Sequence, residues 1–148
     1  MQKPGAYRAF DPEEERQRFL EGIALFNRKE FFEAHETWED VWNMSVQDKA
    51  RFYQGMIQLA VALEHMTRHN PRGVKKVWQT MLAKFAGLPP VYMGVDWQGL
   101  VARVGVIVQP VLEMETWQGQ QPGDVVIAWD PADVPEIVLQ SDPFEDGE

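Results

Sequence analysis

This chain predicts an all-α fold, a compact bundle of about five helices followed by an extended, short-stranded C-terminal tail. Three observations carry that expectation. Apolar residues recur at helical spacing through most of residues 1–117. Capping and stopping residues punctuate those stripes. After Trp117 the texture turns to Gly, Pro and Gln and then to two β-prone runs. The organisation expected is a helical domain over 1–117 and an acidic extended tail over 118–148.

Asp11-Pro12-Glu13-Glu14 reads as a helix start, with an Asp cap, Pro in the first turn and acids facing the positive end of the helix dipole. Phe19, Ile23 and Phe26 give its inner face, and it stops near Asn27. A second helix runs from Glu30 to Asn43 on the stripe Phe31, Ala34/His35, Trp38, Val41/Trp42. Ser45-Val46-Gln47-Asp48 resembles a capping box with Asp in place of Glu, opening a third helix that reaches Arg68. Its main stripe is Phe52, Met56, Leu59, Leu63 and Met66. Asn70-Pro71 starts a fourth, with Val74, Val77, Trp78, Met81 and Phe85 inward, and Gly87 with Pro89-Pro90 ends it. Asp96 caps a fifth, with Leu100, Val101, Val104, Ile107, Val108 and Val111 inward, which Pro110 should kink or end early. In the tail, the runs 124–129 and 136–140 are β-prone. Two strands alone are marginal in water, so if ordered they must lie along the helical body as a strap. The last residues, from Ser141, should fray. A weak echo between the segments around Trp38 and Trp78 resembles paired helical hairpins but falls short of a repeat array.

Composition bounds the function. With 45% hydrophobic residues and six Trp, 148 residues can close a real core. No apolar run approaches the roughly 20 residues needed to cross a bilayer, so no membrane partner is expected. The first residues carry no apolar signal segment, and Cys is absent, which excludes disulfides and thiolate metal sites. A cytoplasmic location is the expectation. The net charge of −9 is unevenly placed: up to Arg103 there are 14 Lys/Arg against 13 Asp/Glu, and beyond it 10 Asp/Glu and no cation. Such a chain is a poor general nucleic-acid binder. One basic patch stands out, Arg68, His69, Arg72, Lys75 and Lys76. It reads as a solvated helix start, or as a seat for an acidic partner, a nucleic-acid backbone or the chain's own tail. His69, beside Asn70-Pro71, reads as a solvated loop residue.

The polar residues that could carry chemistry lie on the second and third helices. His35 and Glu39 are one turn apart, Glu36 is three residues from Glu39, and Trp38 and Trp42 are also one turn apart. On the third helix a row of Gly55, Gln58, Ala62 and His65 runs beside the main stripe. Gly and Ala there would let a neighbouring helix come close. If that neighbour is the second helix, His35, Glu39, Gln58 and His65 converge between the two.

The combination HETWEDVW, then FYQGMIQLAVALEH, then NPRGV resembles the bacterial and archaeal domain-of-unknown-function family 309, over roughly Phe19 to Val111. His35, Glu36, Glu39, Trp42, Gly55, Gln58 and His65 occupy the family's matching positions. The resemblance implies an all-helical fold and no assigned activity, and the family pattern does not require a His at position 69.

Three functional readings follow. The first is a non-catalytic binding or scaffold module with a buried His/Glu/Gln network, using Trp38, Trp42, Gln58 and His65 or the basic patch to hold a partner. The second is a small metal-dependent hydrolase holding zinc or iron on His35, Glu39 and His65, with His35, Glu36 and Glu39 as catalytic candidates. HExxE lacks the second His of the zinc-protease motif, and the chain has no paired Glu-x-x-His elements of the di-iron kind. The third is a homodimer with the Gly55–His65 row at its interface.

Overall fold

The computed structural model describes residues 11–145. Five helices dominate it: α1 (Pro12–Asn27), α2 (Phe31–Trp42), α3 (Gln47–Thr67), α4 (Pro71–Phe85) and α5 (Trp97–Leu112). Between α4 and α5 lies a two-residue antiparallel ladder, β1 (Val91–Tyr92) and β2 (Val95–Asp96). Its turn places Met93 (φ 52°) and Gly94 (φ 76°) in the left-handed region, as a tight hairpin requires.

The caps act where the sequence puts three of them. Asp11 accepts from the Glu13 amide, Asn70 from Gly73 at 3.1 Å and Asp96 from Gly99 at 2.9 Å. The capping box at Ser45 does not form. Val46 is the residue before α3 and has no side-chain cap, while the Ser45 hydroxyl donates back to the Val41 carbonyl at 2.7 Å. That carbonyl lies in the last turn of α2, where acceptors are left over, and it competes successfully for the hydroxyl. Pro110 does not end α5, which runs on to Leu112. Proline removes the bond to the carbonyl four residues back, on Val106. Val106 is 76% exposed, so water can take that bond's place.

Successive helices pack side by side, α1 on α2, α2 on α3 and α3 on α4, with α5 against α4. The third helix is therefore the central one and is covered on two sides. Its stripe Phe52, Met56, Leu59, Leu63 and Met66 is fully buried, together with Phe19, Phe26, Trp38, Tyr53, Met81 and Phe85. Burial pushes the Tyr53 phenol far above its ordinary pKa, and Glu15, which accepts from it at 2.8 Å, acts in the same direction.

The tail lies on this body as an extended strap. It contains one short 3-10 turn, Pro131–Asp133, and its β-prone runs form no ladder among the described residues. Ile127, Val134 and Ile137 are buried in the common core. Asn27 clamps the strap through a two-way exchange with Ile137, donating to its carbonyl at 3.0 Å and accepting from its amide at 2.7 Å. Arg16 holds Asp142 at 2.9 Å and draws its carboxyl below the usual range, after the Phe144 amide as the larger cause. The acidic tail is thus part of the same packed unit as the helices.

Candidate functional site

The residues of the α2 motif divide between frame and surface. Trp38 is fully buried and its indole nitrogen donates to the Phe19 carbonyl at 3.2 Å. Gly22 on α1 gives it room, since a methyl there would sit about 2.1 Å from the same nitrogen. Trp42 is half-buried against the core. His35 lies between two carboxylates, its Nε2 3.6 Å from Glu39 and its Nδ1 3.7 Å from Glu64, with its ring edge-on to Phe32. Both separations exceed a hydrogen bond, and Nδ1 is buried without a partner. Glu36 is exposed.

The α3 row of small and polar residues does not meet α2. Gly55 lies under the ring of Phe85 on α4, and His65 sits against Gly73 at the start of α4, its Nδ1 3.1 Å from the Asn70 amide nitrogen. Gln58 belongs to the same face, half-buried, with its Oε1 buried and unpaired. The expected convergence of His35, Glu39, Gln58 and His65 is therefore not built. The first two face the α2 side of α3 and the last two its α4 side. The physical reason is that α3 has two neighbours, and the small residues accept α4. The same fact removes the homodimer reading of this row, because α4 of the same chain already covers it. Among the described residues no group of three His, Asp or Glu side chains could hold one metal ion, so His35, Glu39 and His65 do not assemble as ligands. Burial lowers the His65 pKa, Glu64 opposing and Arg68 assisting.

What does meet His35 is Glu64, which also pairs with Arg68 at 2.8 Å. Glu64 was legible only as one half of an i,i+4 pair with Arg68. His69 is a second correction. It is half-buried in the left-handed region (φ 54°), where its Nδ1 accepts from the Ile127 amide and its carbonyl from the Gly123 amide, both at 2.9 Å. Accepting at Nδ1 requires the tautomer protonated at Nε2. His69 is a clamp on the tail, rather than a solvated loop residue.

The remaining cations of the patch form a different kind of place. A recess of about 520 Å³ opens between the start of α4 and the segment that returns from α5, lined by Arg72, Lys75, Lys76, Gln79, Thr116 and Gln120 among others. No carboxylate lines it. Lys75 donates to the Met114 carbonyl and Arg72 to the Gln120 carbonyl at 3.4 Å. The segment that returns from α5 approaches Lys75 and Arg72 with backbone carbonyls, and among the described residues none of Arg72, Lys75 and Lys76 has an ion-pair partner. Gln120 is 5% exposed, and neither atom of its amide has a hydrogen-bond partner. It sits in the turn-rich stretch after Trp117, where the sequence offers only a linker pattern.

The fold and these sites define a helical unit in which Trp38 and Gly55 belong to the frame while His35, Glu36 and Glu39 reach the surface. Residues 19–77 match the model of the family described as Domain of unknown function (DUF309). The match runs from α1 into α4 and is shorter than the Phe19–Val111 span of the resemblance. An uncharacterized protein of Aquifex aeolicus (strain VF5) is 28% identical over 83 residues, 55% of this chain and 25% of the relative. The uncharacterized protein YpuF of Bacillus subtilis (strain 168) is 42% identical over 50 residues, 33% of this chain and 29% of the relative. The chain spans less than a third of the length of these curated relatives. No helix among the described residues is long and apolar enough to cross a membrane.

Proposed function

We propose that this chain is a non-catalytic binding module, acting in the cytoplasm, whose ligand is acidic and is held in the recess between α4 and the returning segment. The single observation that carries this reading is the recess itself, which gathers three cations and no carboxylate in a chain of net charge −9. Like charges converging without a counter-ion repel each other, and an anionic ligand relieves that repulsion. The same place lies at the positive end of α4. The α2 surface supports the reading less well, since its one imidazole lies between two carboxylates of the same chain, at 3.6 and 3.7 Å.

Retention on an immobilised polyanion at graded salt tests the proposal. Wild type should be retained at low salt, and Lys76→Glu and Arg72→Glu should elute at clearly lower salt. Arg103→Glu on α5, which makes the same change in net charge, should elute near wild type. Equal loss in all three variants, or no retention of wild type, would overturn the proposal.

A further inference from the structure

We infer that His69 is an acid-sensitive latch, whose ring releases residues 124–130 of the tail from the corner between α3 and α4 when it takes up a proton. The inference stands apart from the reading of the recess and rests on how this arm of the tail is held. Of its residues only Ile127 is buried, at 4% exposed. The amide of that same residue donates to His69 Nδ1 at 2.9 Å. The apolar anchor of the arm and its polar clamp thus fall on a single residue.

The chemistry of the ring makes the clamp conditional. A neutral imidazole has one nitrogen that donates and one that accepts, and with Nδ1 accepting, the hydrogen is on Nε2. The lone pair that receives the Ile127 amide is therefore the one that binds a further proton. Once it does, two N–H donors point at each other and the bond is lost. The sign follows: the clamp is present while the ring is neutral and disappears as pH falls. The tail on either side is held by bonds that do not depend on this ring's charge. Before the arm, the Gly123 amide donates to the His69 carbonyl at 2.9 Å. Beyond it, Lys29 donates to the Val134 carbonyl and Asn27 exchanges two hydrogen bonds with Ile137. Gly123, at φ 89° with open space where a Cβ would stand, supplies the hinge.

The charged and titratable groups of this corner are His65 and Arg68 at the end of α3, Arg72 in the first turn of α4 and Asp124 on the arm. Each is engaged elsewhere. Arg68 pairs with Glu64 at 2.8 Å, Arg72 donates to the Gln120 carbonyl at 3.4 Å, Asp124 accepts from the Gln121 amide at 2.9 Å, and His65 Nδ1 lies 3.1 Å from the Asn70 amide nitrogen. Among the described residues no carboxylate pairs with the His69 ring, so nothing of opposite charge holds the protonated ring in the closed position. Protonation of His65 would loosen α3 from α4 instead, and the Val74 amide, which donates to the Asn70 carbonyl at 3.1 Å, reports that event separately.

The test is amide hydrogen exchange on the full chain, read residue by residue by NMR and corrected for intrinsic rates. A freed imidazole is half protonated near pH 6.5, so a change from about pH 7.5 to about pH 5.5 favours the open arm by about tenfold. The Ile127 amide should lose about tenfold in protection over that span, while Ile137 and Val74 keep theirs. His69→Asn places a carbonyl oxygen near where Nδ1 stood, does not titrate, and suits the left-handed backbone at φ 54°. It should protect Ile127 at neutral pH and abolish the pH dependence. Nitrogen shifts of the wild-type ring at neutral pH should place its hydrogen on Nε2. A hydrogen on Nδ1, a parallel loss of protection at Ile127 and Ile137, or a His69→Asn protein that keeps the pH dependence would overturn the inference.

Discussion

Replacing Trp38 by Ala should destabilise the fold by about 3–5 kcal/mol, the range for deleting a fully buried aromatic side chain. Two terms make the upper part of that range the expectation. The indole is fully buried and stands against the ring of Phe26, 6.1 Å between centroids, so its removal leaves a cavity between α1 and α2. The Phe19 carbonyl would also lose the indole N–H that it now accepts from at 3.2 Å. Collapse of α1 into the space is limited because α1 is tied elsewhere, through Asn27 to Ile137 and Arg16 to Asp142. Chemical denaturation of wild type and variant gives the difference directly. A loss below about 1 kcal/mol would mean that the side chain acts as a surface contact and that the packing described for α1 and α2 is wrong.

Gly55→Ala should also destabilise, by about 1–3 kcal/mol, although the same change in an open helix stabilises by about 1 kcal/mol. The sign is decided by Phe85. A methyl at position 55 would lie about 2.6 Å from that ring. The ring cannot easily give way, because it stacks on Trp97 at 4.8 Å with planes 4° apart and meets Phe52 edge-on at 6.2 Å. Shifting it moves the α3–α4 contact and the start of α5 together. Thermal melts give the sign, and a variant more stable than wild type would show that α3 and α4 are not in this close approach.

These two positions also show how much of the fold could be read in advance. Trp38 and the other buried stripe residues follow from 3.6-residue periodicity, and Asp11, Asn70 and Asp96 announce their helices because short polar side chains before an apolar stripe have a definite capping job. Gly55, Gln58, Ala62 and His65 were legible as one face of α3. Periodicity names a face and not the helix that will cover it. Since α3 is covered on both sides, His35 and Glu39 argue for α2 as the neighbour of that face, while Gly55 and His65 in fact meet α4. Glu64 obeys the same rule, since its spacing from Arg68 shows a pair on α3 and not the His35 ring that lies beside it. Asn27, His69 and Gln120 were not legible as site or clamp residues at all. Asn27 and His69 act on backbone groups 110 and 58 residues away, and Gln120 acquires its meaning only when the chain returns from α5 to the start of α4. The cations Arg72, Lys75 and Lys76 were visible as a patch. That they enclose a recess free of carboxylates is a property of the returning segment.

Backbone amide shift mapping decides whether an acidic ligand is held at the start of α4. Isotope-labelled full chain would be titrated with a short sulfated oligosaccharide at low salt. Shifts that saturate and cluster at residues 70–79 and 114–122 are expected. Shifts centred instead on α2, or none that saturate, would contradict that placement.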